Sequence, residues 1–84
     1  MPSRLTGKSK GFQDLRYRAL IERLIERRKE LGWTQAKLGE RIGNHQQFVG
    51  RFELGERRLD VIEFLDIARA LDLDLLELIE SLNG

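Results

Sequence analysis

The stretch Thr34–Gly55 reads TQAKLGERIGNHQQFVGRFELG, and its pattern decides the fold of the chain. Its first residue is a threonine, a good N-cap for a helix. Leu38 and Ile42 lie four residues apart, so they share one face of a helix that we expect to span about 35–42. Gly43 ends that helix.

A further helix follows almost at once, over about residues 45–53, with Asn44 or His45 as its cap and Gly55 at its end. Only Gly43 and Asn44 separate the two helices, too few residues for an antiparallel arrangement. A tight glycine turn instead crosses them steeply, as in a helix-turn-helix. Gly39 supplies a small residue where the two helices would approach each other.

The rest of the chain predicts an all-α fold of five helices with short connections. Asp14 caps a first helix over residues 15–31, and Asp60 caps a fourth. The residues that we expect on the inner face of the fourth helix are Ile62, Leu65, Ala68 and Leu71. A short fifth helix covers 75–82. We expect a single domain over residues 14–84, preceded by a flexible basic arm, MPSRLTGKSKGFQ, over residues 1–13.

The composition excludes several classes of function. The chain has 84 residues, no cysteine and one histidine, which leaves little for metal, disulfide or Ser-His chemistry. It shows no phosphate-cradling glycine loop and no nucleophile–base pair, so we expect neither an enzyme nor a cofactor. No apolar run reaches the length of a membrane span and no signal peptide opens the chain, so the expected location is the cytoplasm.

Charge is unevenly distributed along the chain. Residues 1–58 hold 14 Lys and Arg against 7 Asp and Glu, a net charge of +7, whereas residues 59–84 carry −6. This polarity favours a basic working surface and an acidic far side that stays away from a polyanion. The alternative is a set of ordinary solvated helix faces.

Two charges fall on faces that should be buried. Arg28 follows Leu24 by four residues in the first helix, and Glu53 follows Val49 by four in the third. Since an unpaired buried charge costs several kcal/mol, we expect Arg28 and Glu53 to form an ion pair. The alternative is that Arg28 extends to solvent at the edge of the domain.

Residues 20–71 resemble the Cro/cI-type (XRE-type) helix-turn-helix domain of phage repressors and bacterial regulators. The resemblance is carried by RRKELGWTQAKLGERIG, HQQFVGRFELG and RRLDVIEFLDIARAL. Paired glutamines such as Gln46 and Gln47 also occur in lambdoid phage repressors. The sequence departs from the family pattern at Asn44, where many members carry an apolar residue, and at Asp72, where glycine is common. The resemblance implies a compact lambda-repressor-like domain and also favours the Arg28–Glu53 pair.

In this motif the third helix lies in the major groove with its first residues toward the base edges. Glutamine suits bidentate pairing with adenine, so we expect Gln46 and Gln47 to read bases. We expect Phe48 to press on a thymine methyl and Arg51 to reach guanine or a phosphate; the alternative for Phe48 is packing against the turn. Gly50 costs up to about 1 kcal/mol inside a helix, which either allows close approach of DNA or is simply tolerated.

Other residues are expected to contact phosphate, which sets the register without reading sequence. The resemblance implies that Gln35, at the start of the second helix, touches phosphate and steadies the first reading glutamine. Arg57 and Arg58 follow Gly55 and are placed to hold the DNA backbone, although a solvated loop is the alternative. We expect His45 to cap its helix or contact phosphate.

These features predict a sequence-specific double-stranded DNA-binding regulator, a repressor of bacterial or prophage origin. One reading helix contacts few base pairs, so we expect a homodimer on a pseudo-palindromic operator. Residues 75–82 carry more apolar side chains than one packed face requires. Part of this surface forms a dimer interface, or alternatively the helix only closes a small core. The alternative function is an antitoxin-type module of the same fold, which binds a toxin or other protein partner as well as DNA.

Overall fold

The computed structural model describes residues 14–82, so the expected basic arm over residues 1–13 lies outside the described range. Within that range the chain forms five α-helices and no strand, which confirms the predicted all-α fold. The helices are α1 (Leu15–Glu30), α2 (Gln35–Ile42), α3 (Gln46–Leu54), α4 (Val61–Ala70) and α5 (Leu75–Glu80).

Side-chain caps set where most of the helices begin. Asp14 accepts a hydrogen bond from the backbone N–H of Arg16, and Thr34 accepts one from Lys37. Asp60 and Glu63 form a reciprocal capping box at the start of α4. These short polar side chains satisfy backbone donors that the first turn leaves unpaired, so each helix begins within one residue of its expected position.

The α2–α3 turn is built on two close backbone arrangements. Gly43 takes a left-handed conformation with φ of 70°, and Asn44 N–H donates back to the Gly39 carbonyl at 2.9 Å. A Cβ at Gly39 would lie 2.9 Å from the Asn44 carbonyl oxygen and 3.2 Å from the His45 carbonyl. The backbone of the turn therefore occupies the space that a side chain at position 39 would need.

The core lies between α1, the helix pair α2–α3, and α4. Its buried apolar side chains are Ile21, Leu24, Leu38, Val49, Phe52, Leu59, Ile67 and Leu71. The inner face of α4 differs from the expectation at one residue. Ile62 is 64% exposed, because the inward stripe runs through the partly buried Phe64 and the buried Ile67, Ala68 and Leu71, at spacings of three and four residues.

The α4–α5 connection contains the one non-glycine residue of the described range with positive φ. Asp72 has φ of 57°, at a position where the family pattern often has glycine. Aspartate tolerates this left-handed conformation better than most residues. α5 then ends at Glu80, two residues short of the predicted end. None of the helices between residues 14 and 82 combines the length and apolarity needed to cross a membrane.

Candidate nucleic-acid interface

The two faces of α3 differ sharply in exposure. Val49 and Phe52 are fully buried, and Glu53 is 9% exposed. Gln46 and Gln47, in the first turn, are exposed, as is Arg51 one turn further on. Because the inner face is fixed by the core, the amide side chains of both glutamines are directed to solvent and are available to a ligand.

The buried carboxylate of Glu53 accepts three hydrogen bonds. Arg28 donates from Nε to Glu53 Oε2 at 2.7 Å and from Nη2 to Oε1 at 3.0 Å. Gln35 Nε2 donates to Oε1 at 2.9 Å. The third arginine nitrogen, Nη1, donates to the carbonyl of Trp33 at 2.7 Å. The two inward charges therefore pair as expected, and the pair fixes α3 to α1 and to the start of α2.

The side chain of Gln35, the first residue of α2, packs against α3. Besides its bond to Glu53, its Oε1 would lie 3.5 Å from a Cβ placed on Gly50, an ordinary contact distance. The protein itself thus leaves room for alanine at Gly50. Gln35 keeps a second Nε2 hydrogen for a phosphate, so the role implied by the family stays a prediction.

An open concavity of about 360 Å³ lies beside the first turn of α3. It brings together five of the eight residues expected to contact DNA: His45, Gln47, Phe48, Arg51 and Arg57. The other three, Gln35, Gln46 and Arg58, lie outside it. His45 occupies the N-cap position of α3, but its side chain makes no capping bond; Asn44 Oδ1 instead accepts from His45 N–H at 2.8 Å.

Arg57 is engaged inside the protein. Its Nη1 and Nη2 donate to the two carboxylate oxygens of Glu63 at 3.0 and 2.7 Å, and Nη1 also donates to the Arg58 carbonyl at 2.8 Å. Its guanidinium lies 5.0 Å from the ring centre of Phe48. The hydrogen bonds from Arg57 lower the pKa of the Glu63 carboxyl, and Glu63 in turn raises the pKa of Arg57. The pair therefore stays fully charged near neutrality.

Glu63 is a residue that sequence reasoning missed at this site. The sequence does contain a pattern that points to Glu63: Asp60 and Glu63 have the spacing of a capping box, and two arginines stand just before them. Arg58 lies differently from Arg57: its guanidinium is 5.4 Å from the ring centre of Tyr17, and its side chain is exposed. Tyr17 in turn accepts a hydrogen bond from Leu59 N–H at 3.0 Å, which fixes the loop against α1.

Apolar side chains are exposed on α4 and α5, within the acidic segment 59–84. Leu76 and Ile79 of α5 are 65% and 47% exposed, and Val61 of α4 is 73% exposed. A groove of about 290 Å³ runs between α1, α4 and α5, and Val61 and Ile79 line it. In residues 14–82 no cluster of three or more His, Cys, Asp or Glu side chains could hold a metal ion.

Comparisons with known proteins agree with this architecture. The helix-turn-helix family model (HTH_3) matches residues 24–78. The chain is similar to the solved structure of an XRE-family like protein from Pseudomonas syringae pv. tomato, with 43% identity and a TM-score of 0.79, covering 88% of this chain and 90% of that one. No curated protein sequence matches the chain. The protein therefore belongs to the XRE-type helix-turn-helix family of DNA-binding regulators.

Proposed function

We propose that the protein is a sequence-specific transcriptional repressor that reads the major groove of double-stranded DNA with α3. The observation that carries this proposal is the exposure of Gln46 and Gln47 at the start of α3, on a helix whose opposite face is fully buried. Glutamine amides can pair with the N6 and N7 positions of adenine. Arg51, one turn further on, reaches a neighbouring base or phosphate.

Phosphate contacts hold the protein in register. Arg58 is exposed, and its guanidinium lies over the ring of Tyr17. Within residues 14–82 it forms no ion pair with a carboxylate, so its charge is available to a phosphate. His45 and Gln35 flank α3 and add hydrogen-bond donors to the DNA backbone. These contacts raise affinity for every sequence and make it sensitive to salt.

Selection of binding sites from random-sequence DNA tests the proposal. We expect a palindromic motif, and recovery of no preferred sequence would contradict the proposal. On the selected site, Gln46→Ala or Gln47→Ala should cost about 1–3 kcal/mol and relax preference at one position. Arg58→Ala should weaken all sequences alike and flatten the salt dependence. Arg69→Ala is the matched control, because Arg69 is the one arginine of the acidic segment 59–84 and is also exposed.

We also propose that the repressor acts as a homodimer through α5. The supporting observation is the exposure of Leu76 and Ile79 on a helix whose one buried side chain is Leu78. Sedimentation at tens of micromolar protein should show a dimer, and Leu76→Glu should shift it toward monomer and weaken binding to the palindrome. A monomer in both proteins would contradict the dimer and leave this surface to the antitoxin-type alternative, a protein partner.

A further inference from the structure

Phe48 is held on two sides within the concavity beside α3. The ring of Phe52, which is fully buried, meets it edge-on with centres 5.7 Å apart and planes at 61°. The guanidinium of Arg57 lies 5.0 Å from its ring centre. Phe48 is half-buried, and its remaining surface lines the concavity with His45 and Arg51. Its position is therefore set by neighbours on α3 and on the α3–α4 loop.

Arg57 is itself fixed from α4. Glu63 binds both terminal nitrogens of the guanidinium, a bidentate geometry that defines the plane as well as the position of the group. The carboxylate is anchored in turn, because Glu63 Oε1 accepts from Asp60 N–H at 3.0 Å and Asp60 Oδ1 accepts from Glu63 N–H at 2.7 Å. A continuous series of contacts thus runs from the start of α4 through Glu63 and Arg57 to Phe48.

The same contacts make Arg57 a poor phosphate ligand. A phosphate would have to compete with a carboxylate that already occupies two guanidinium nitrogens, and the Arg57–Glu63 pair has no net charge. Release of counterions from DNA depends on net positive charge brought to the phosphates, so the pair contributes little to it.

We propose that Arg57 and Glu63 are positioning residues for Phe48, and that through Phe48 they set a preference for thymine at the base pair it faces. The inference rests on the proposed function and names the chemistry that one part of the site recognises: the C5-methyl group of thymine. Arg57 and Glu63 act on sequence preference, whereas Arg58 acts on overall affinity.

Replacement of single thymines by deoxyuridine in the selected site tests this inference, because it removes the methyl group and keeps every hydrogen-bonding edge. For the wild-type protein, one thymine should show a loss of affinity of about fourfold, the equivalent of one buried methyl group. Phe48→Ala should abolish the difference between thymine and deoxyuridine at that position. Arg57→Ala and Glu63→Gln should reduce it, and Arg57→Lys, which keeps the charge but loses the fork, should restore part of it relative to Arg57→Ala.

The controls separate positioning from other effects. Glu63→Gln keeps a residue that can complete the capping box, so the start of α4 is preserved. Asp66→Asn, an exposed change in the same helix, should leave the thymine preference intact. The salt dependence of binding should be the same for wild type and the charge-neutral double variant Arg57→Ala, Glu63→Gln, whereas loss of a phosphate contact would lower its slope by about 0.9.

Two results would overturn the inference. One is a wild-type protein that binds its selected site equally well with deoxyuridine at every thymine. The other is an Arg57→Ala, Glu63→Gln protein that binds the thymine and deoxyuridine sites equally weakly and has a reduced salt slope, which would make Arg57 a phosphate ligand. Either result leaves the proposed function standing if Gln46→Ala still relaxes preference. Loss of all sequence preference in the wild type would instead contradict the proposed function itself.

Discussion

Removal of Arg28 is the sharpest test of how α3 is held. Among residues 14–82 the buried Glu53 carboxylate has three hydrogen bonds and one charge partner, and Arg28→Met removes that partner and two of the bonds, leaving the one from Gln35. Breaking one side of a buried pair costs about 3–5 kcal/mol. Small domains have a free energy of unfolding of only about 5–15 kcal/mol. For a chain of this size each kcal/mol changes Tm by about 4–8 °C, so we expect Tm to fall by at least about 12 °C.

The pairwise contribution is measured with a double-mutant cycle. Arg28→Met, Glu53→Gln and the double variant are unfolded in urea and followed by far-UV circular dichroism. The double variant should be more stable than the sum of the two single effects predicts, by more than about 1 kcal/mol, because no charge is left unpaired. The matched control is the exposed pair Arg23–Glu26, with a 2.9 Å separation, whose cycle should give a coupling of about 0.3–0.5 kcal/mol. Strictly additive effects at Arg28 and Glu53 would refute the reasoning.

Three further outcomes follow from the local geometry. Gly39→Ala should lower the free energy of unfolding by about 1–3 kcal/mol in urea titrations, since its Cβ would meet the turn carbonyls of Asn44 and His45 at 2.9–3.2 Å; an unchanged midpoint would contradict this account of the turn. Gly50→Ala should raise stability by up to about 1 kcal/mol yet weaken binding to the selected DNA site, and unchanged binding would mean that this glycine is merely tolerated. Hydrogen bonds from Arg16 lower the pKa of Asp14 from 3.8 to about 2, so its contribution to stability is complete above pH 3.8 and is lost as the pH falls through about 2. Thermal unfolding across that range should therefore show a smaller acid-induced loss of Tm in Asp14→Asn than in wild type.

The fold could be predicted from the sequence because its signals are local. The bounds of α2 agree with the prediction, since Thr34 caps its start and Gly43 can adopt the left-handed conformation at its end. The buried Arg28–Glu53 pair could also be predicted, because each charged residue falls among the apolar positions of its own helix. In contrast, α3 begins at Gln46, one residue later than expected. His45 occupies the N-cap position, but its side chain makes no capping hydrogen bond, and its own N–H donates to Asn44 Oδ1.

Features that depend on how separate helices meet could not be predicted. The exposure of Ile62 follows from the rotation of α4 about its axis, and two apolar stripes on that helix were compatible with the sequence. The ion pair of Arg57 with Glu63 could not be predicted, because Glu63 lies six residues away across a loop whose path the sequence does not define. The further bond from Arg28 to the Trp33 carbonyl likewise depends on the path of the chain after α1.

The anchoring of Glu53 by Arg28 and Gln35 has a consequence for any duplex that the protein binds. Because one buried carboxylate joins α3 to α1 and α2, the exposed face of α3 is held as a preformed, rigid surface. Under the proposed function, a misfit at an imperfect site must then be absorbed by bending or twisting of the nucleic acid. The flexibility of base steps that the protein never touches therefore contributes to discrimination between sites.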